Sequence, residues 1–262
     1  HPRPFNLTML GVGNEQWGPQ YVERYARFSA VLKAKHPEVQ LIASAGPRPN
    51  DPLFHFLWPE LRELKADIVD EHCYDVPAWF FANGNRYDAY DRSGPKVFMG
   101  EYAAQSVKTA SPENRNNWEC ALAEAAFLTG LDRNSDVVTL SSYAPLTAHV
   151  EGWQWTPNLI WFDNLRAHGT PNYYVQQLFS VHRGTRTLPV RLEGQSASAA
   201  GSPLLFAAAS RDEKSGEVIL KVVNRATKPT GVDLHLLGAG RVAASGSATV
   251  LRSDSLADEN SL

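Results

Sequence analysis

Short apolar runs recur along the first part of the chain, and each is followed by apolar residues at helical spacing. Phe5 to Gly13, Val39 to Ala45, Asp67 to Tyr74, Lys96 to Gly100 and Asp136 to Ser141 read as strands. Pro19 to Lys35 reads as a helix, with Tyr21, Val22, Tyr25, Phe28, Val31 and Leu32 at helical spacing and His36-Pro37 as a stop. Trp58 to Lys65 and Pro77 to Tyr90 read as helices, with Gly46 to Pro52 and Arg92 to Pro95 as loops. Another helix is predicted to start at Ser111-Pro112-Glu113, with serine at the cap, and to run through Trp118, Leu122 and Leu128. A long aromatic loop spans Tyr143 to Leu165, and a last helix spans Pro171 to His182. Strand and helix alternating in this way predict an α/β fold with a parallel sheet and helical crossovers.

The pattern changes near Gly184. From Thr185 onward, strand-like runs follow one another without helices: 187–192, 204–209, 217–224, 232–237 and 248–251. Gly194 to Ser202, rich in Ser, Ala and Gly, reads as a loop between two of them. This predicts an antiparallel β-sandwich over residues 185–262, after an α/β domain over 1–184.

Composition narrows the function classes only modestly. A chain of 262 residues can bury a sizeable core. A formal charge of −3 gives no case for nucleic acid or an anionic membrane. No apolar run is long enough to span a bilayer. Cys73 falls in a strand and Cys120 in a helix, so buried free thiols are expected rather than a disulfide. The chain starts at His1 without a methionine or signal sequence, which leaves the compartment open.

Two stretches carry candidate chemistry. Gly13-Asn14-Glu15 ends the first strand, and Gly100-Glu101-Tyr102 ends the fourth. Parallel barrels keep their chemistry at the C-terminal ends of strands. Two glutamates so placed suggest a two-carboxylate glycosidase, although either alone could be a solvated loop residue. Retaining enzymes hold the pair ~5–5.5 Å apart and inverting enzymes ~6.5–9.5 Å, a distance the sequence does not give. The Asn14 amide can donate to a sugar hydroxyl, or it is a turn asparagine. His72 and Tyr74 close the third strand: the Tyr74 hydroxyl can orient a nearby carboxylate, and His72 can line the same pocket or be structural. Trp17 and, in the long loop, Trp153, Gln154 and Trp155 are candidates for the pocket wall. Asp70 and Glu71 read as strand-end charges. His149, His168 and His182 show no metal-ligand spacing. Gly11-Val12-Gly13 lacks the rest of a dinucleotide fingerprint, and Ser44, Ser141 and Ser142 lack a nucleophile-elbow context. No cofactor or metal is expected.

Gly13 to Gly18, Gly100 to Ala103, and Tyr143-Ala144-Pro145-Leu146 followed by Trp153-Gln154-Trp155 resemble, in that order and spacing, glycoside hydrolase family 51. The best-known activity of that family is α-L-arabinofuranosidase, and the resemblance runs from Phe5 to about Asn260. It implies a partial TIM (β/α)8 barrel over 1–184, made of about the last five β/α units, followed by an incomplete β-sandwich. It implies a retaining mechanism with Glu15 as acid/base and Glu101 as nucleophile. Gln154 is then the candidate for the family's sugar-binding glutamine, with Asn14, Trp17, His72, Tyr74 and Trp155 also contacting substrate. The implied partner is an arabinose-containing oligo- or polysaccharide, met outside the cytoplasm by a secreted or periplasmic enzyme. On this reading the N-terminal half of the barrel precedes His1. The chain made alone is then expected to be inactive and prone to associate through open strand edges. Two alternatives stay open: a non-catalytic sugar-binding fragment, and another barrel glycosidase acting on glucosides or xylosides. A homo-oligomer is left open as well.

Overall fold

A computed structural model of the chain describes residues 5–194, 197–198 and 201–262, so the predicted loop at 194–202 lies partly outside the described residues. Strands β1 (Met9–Val12), β2 (Gln40–Ser44), β3 (Ile68–Asp75), β4 (Lys96–Ala104) and β5 (Val138–Tyr143) form one parallel sheet in chain order. Each strand lies beside its predecessor. That is the succession of a (β/α)8 barrel, not of a doubly wound sheet, whose order reverses partway. The first part is therefore an arc of five barrel units.

The connecting helices are α1 (Gly18–Lys35), α2 (Pro52–Glu63), α3 (Pro77–Ala82) and α4 (Trp118–Arg133), with α5 (Pro171–Val181) after the sheet. Several starts differ from expectation because side chains cap elsewhere. The Asp51 carboxylate accepts from Phe54 N, so α2 begins at Pro52 and not at Trp58. Ser111 caps no helix. Asn114 accepts from Val107 N and donates to Gln105 and Lys108 O, which holds this stretch as a loop until Asn117 caps α4. Helix α3 stops at Ala82 and not at Tyr90, because the residues beyond it turn back towards β3.

Helix α4 is buried along most of its length and packs against β4, α3 and α5. Its small residues permit close approach: a Cβ on Gly130 would sit 2.1 Å from the Gly84 carbonyl oxygen. The long loop after β5 contains β6 (Thr147–His149) and β7 (Ile160–Phe162), which with β8 (Ala167–Gly169) form a small sheet. Among the described residues, no helix is long and apolar enough to cross a membrane. Cys73 and Cys120 are free and buried, and burial pushes both thiols up.

Antiparallel strands follow the barrel units. Strands β9 (Arg186–Leu188), β10 (Leu205–Arg211) and β11 (Val218–Asn224) form a sheet that packs on α4. The strands predicted at 232–237 and 248–251 are not formed. Val232, Leu234 and Val250 are exposed there, and among the described residues no neighbouring strand takes up their ladder hydrogen bonds. Alternation marks a stretch that suits a strand, but pairing makes it one.

The most heavily bonded charge lies on the helix side of β3. Glu71 is fully buried and accepts from Trp58 Nε1 (3.0 Å), Arg86 Nε and Nη2 (3.2 and 3.1 Å), Tyr87 OH (2.8 Å) and Tyr90 OH (2.9 Å). The Arg86 guanidinium also lies 5.0 Å from the Phe54 ring. The group read as a strand-end charge is thus the centre of a buried cluster that ties α2 and the α3–β4 connection to β3. Removing one partner of a buried ion pair typically costs ~3–5 kcal/mol, whereas replacing both by apolar residues is often near neutral. Arg86→Met should therefore lower unfolding free energy in urea by about 3–5 kcal/mol. The double variant Glu71→Leu/Arg86→Met should recover little of that loss, because it also leaves the Trp58, Tyr87 and Tyr90 donors without their acceptor.

Candidate active site

Successive side chains on a strand point to opposite faces. Glu71 and Cys73 take the helix face of β3, so Asp70, His72 and Tyr74 share the other. That face meets the C-terminal end of β4 and the turn after β1. The turn is tight: Gly13 has φ +89° and Glu15 has φ +48°. The left-handed region costs a residue other than glycine about 1–3 kcal/mol and recurs at functional sites. Tyr21 anchors this end of the sheet, donating to Val12 O at 2.7 Å and accepting from Ser44 N at 2.8 Å.

An irregularity in β4 delivers the second carboxylate. Met99 pairs with Glu71 and Ser141, but the next partners are Glu101 with His72 and Tyr102 with Tyr143. Beyond Met99, β4 thus carries one residue more than β3, and between Met99 and Tyr102 one more than β5, where it offsets an opposite shift between Val97 and Phe98. The extra residue is Gly100, and such bulges re-aim the side chains beside them. Ser142 Oγ donates to Gly100 O at 2.5 Å. A Cβ on Gly100 would lie 2.0 Å from Asp70 Oδ1, so no larger residue fits unless Asp70 moves. Strand β4 also runs on to Ala104, beyond the predicted end at Gly100.

The side chains converge on His72. Its Nδ1 lies 3.0 Å from Glu15 Oε1 and 3.4 Å from Glu101 Oε2, and its Nε2 lies 3.0 Å from Asp70 Oδ2. Tyr74 OH donates to Glu101 Oε2 at 2.7 Å. The His72 side chain is 2% exposed, against 35% for Glu15 and 30% for Glu101, so both carboxylates are open to a substrate above a buried imidazole. Burial works against charge on His72. Hydrogen bonds and attraction from Asp70, with help from Glu15 and Glu101, outweigh it and raise the imidazole to about 9. The Tyr74 phenol is pushed up by burial and by Glu101.

Glu15, His72 and Glu101 offer ligand atoms within 4.8 Å of one another, the donor types a metal ion would use.

The other candidates fall unevenly around this centre. The Trp155 ring packs edge-on to Tyr74, with centroids 5.7 Å apart, and its Nε1 is buried without a hydrogen-bond partner. Gln154 is exposed on the loop, where it lines a cavity of about 70 Å³ with Trp153, Trp155 and Ser111. Asn14 is exposed in the turn before Glu15, and Trp17 is 57% exposed at the cap of α1. Reading Asp70 as a mere strand-end charge missed its bond to His72. The signal was the period-two series Asp70, His72, Tyr74, which puts the three on one face.

Comparison with known proteins follows the same lines. The family model described as the α-L-arabinofuranosidase C-terminal domain matches residues 100–262, and the α-L-arabinofuranosidase 1 domain matches residues 1–92. An extracellular exo-α-L-arabinofuranosidase of Streptomyces chartreusis is 46% identical over 190 residues, covering 72% of this chain and 22% of the relative. α-L-Arabinofuranosidase 2 of Arabidopsis thaliana is 33% identical over 262 residues, covering 100% of this chain and 36% of the relative. The chain thus spans well under half the length of these relatives. Among solved structures, the arabinose-bound α-L-arabinofuranosidase MgGH51 superposes with a TM-score of 0.73 at 32% identity, over 87% of this chain and 35% of that one. The arabinose complex of the Thermotoga maritima enzyme shares the fold, with a TM-score of 0.67 at 20% identity over 86% of this chain and 53% of that one.

Behind the site, Glu124 of α4 is fully buried and accepts from Ala104 N at 2.8 Å. Burial pushes its carboxyl up to about 8, against relief from Ala104 N and the Asn172 and Gln176 amides. His72 and Glu124 both bind a proton more tightly in the fold than in the unfolded chain. Their contribution to stability is therefore complete below the unfolded values of 4.5 and 6.5. It is lost as pH rises through about 8 for Glu124 and about 9 for His72. The urea midpoint should fall from about pH 5 upward and level off above about pH 9. Glu124→Gln should remove the lower part of that fall and leave the upper part.

Proposed function

The chain belongs to the α-L-arabinofuranosidase family, and from that membership we propose that it carries the catalytic carboxylates of a retaining glycoside hydrolase. The activity is release of terminal α-L-arabinofuranosyl residues from plant hemicellulose, pectin side chains and oligosaccharides. The observation that carries the reading is the approach of Glu15, in the turn after β1, and Glu101, on β4, which bring an oxygen each within 4.8 Å. An approach this close supports the ~5–5.5 Å class of carboxyl pairs that retaining enzymes use.

Glu101 takes the role of nucleophile. It accepts from Tyr74 OH and lies 3.4 Å from His72 Nδ1, so a donor and a neighbouring imidazole suit it to carry negative charge. Its oxygen bonds to the anomeric carbon as the bond to the leaving oxygen breaks, and Glu15 gives its proton to that oxygen. Water, losing a proton to Glu15, then attacks the anomeric carbon and frees Glu101. Asn14, Trp17, Gln154 and Trp155 complete the sugar-binding set, with Trp155 held against Tyr74. The name of the Streptomyces relative supports an exo mode and an extracellular site of action. We also place the division between catalytic units and β-domain near residue 184, between α5, ending at Val181, and β9, starting at Arg186.

Hydrolysis of an aryl α-L-arabinofuranoside, by this chain and by a longer one extended upstream, tests the reading. In an active form, Glu15→Gln should slow poor leaving groups by about 100-fold or more, and good ones by less than about tenfold, because a good leaving group needs little protonation. Equal losses on both would remove Glu15 from the acid role. Glu101→Ala should abolish turnover, and azide should then give a glycosyl azide of inverted configuration. Substantial residual hydrolysis would point to another nucleophile.

A further inference from the structure

Asp70 is retained at a cost that packing does not explain. Its side chain is 13% exposed, and only one oxygen is paired. Oδ2 meets His72 Nε2 at 3.0 Å. Oδ1 is buried without a hydrogen-bond partner, against the face of Gly100, where a Cβ would sit 2.0 Å away. Leaving a buried carboxylate oxygen without a donor is expensive, and such a group calls for a reason. A small apolar residue would fill this place without that penalty. The reason for a carboxylate therefore lies in what Oδ2 does.

Oδ2 fixes a proton on Nε2 and leaves Nδ1 as the ring atom facing both glutamates. The titratable groups around His72 are Asp70 and Tyr74 from its own strand, Glu15 from the turn after β1 and Glu101 from β4. Three carboxylates surround one ring: with both nitrogens protonated it donates from Nε2 to Asp70 and from Nδ1 to Glu15, and its charge also faces Glu101 Oε2 3.4 Å away. We propose that Asp70 is a positioning residue that holds His72 as an imidazolium between Glu15 and Glu101, allowing the two carboxylates to stand close together.

Two carboxylates at this distance repel each other, and a fixed cation between them offsets the repulsion. Its part in turnover rests on the glycosidase reading above. While Glu101 is ionised, His72 is shared between the two glutamates. Once Glu101 is esterified to the sugar it carries no charge, and His72 attracts Glu15 alone. That favours the ionised Glu15 needed to take a proton from water. The pair acts through Glu15 and Glu101 and does not touch the reacting bond.

The test follows the ring directly. In the chain labelled with 13C and 15N, His72 is assigned through its own backbone and ring correlations. Both ring nitrogens should stay protonated through neutral pH, with a midpoint near 9. Asp70→Asn keeps the shape and an acceptor for Nε2 but removes the charge, and Asp70→Ser removes the second oxygen as well. In either variant, shown folded by near-UV circular dichroism, the midpoint should drop by about one pH unit or more. An unmoved midpoint in a folded variant overturns the proposal. So does a His72 that is neutral at pH 7 in the wild-type chain, a measurement that stands even if both variants fail to fold. Where aryl arabinofuranoside hydrolysis is measurable, the alkaline limb of kcat/KM should move down with the His72 midpoint, and a limb that stays put overturns the part in turnover. Absence of hydrolysis in every wild-type form would defeat the glycosidase reading, while the nitrogen titration would still decide the role of Asp70.

Discussion

Strand β3 carries charge on both faces, and both sets of charges are held by partners from other elements. On the helix side, Glu71 gathers Trp58, Arg86, Tyr87 and Tyr90. On the site side, Asp70 and His72 meet Glu15, with Glu101 beyond. A slip of one residue in strand register would exchange the two sets. It would turn Glu71 towards the site and strand Arg86 among aromatic rings. The desolvation cost of that exchange fixes β3, and neighbouring elements take their positions from it.

Strand β4 shows how the fixed frame is adapted to chemistry. An added residue at Gly100 brings Glu101 opposite His72, and the lack of a side chain at Gly100 leaves space for the Asp70 carboxylate. Glu15 comes from a turn in a left-handed conformation, while His72, Tyr74 and Glu101 come from strands. One carboxylate thus stands on a strand, paired with His72 of β3, and the other on a short turn.

Much of the architecture was legible in the sequence because its signals are local. Apolar runs, prolines at helix starts and turn-forming clusters located all five strands of the parallel sheet and marked where the antiparallel strands begin. Local signals failed where two were in competition. Ser111-Pro112 has the look of a helix start, but Asn114 satisfies the surrounding backbone in another way and the helix waits for Asn117. The apolar stripe of Pro77 to Tyr90 continues past the end of α3, but Arg86, Tyr87 and Tyr90 serve Glu71 and not a helix face.

The sequence by itself determined the two glutamates, the histidine and tyrosine two residues apart, and the alternation that makes an arc of barrel units. These follow from period, spacing and residue type, which act over a few residues. Only the tertiary structure decided that Asp70 belongs to the site and that Glu71 is buried at the hub of a cluster. It also decided that β4 carries an extra residue and that the stretches at 232–237 and 248–251 remain unpaired. Each of these depends on what stands opposite: a carboxylate becomes a positioning group or a buried hub according to the donor it meets, and an alternating stretch becomes a strand only beside another strand. Such partners lie tens of residues away in the chain, and only folding brings them within hydrogen-bond distance.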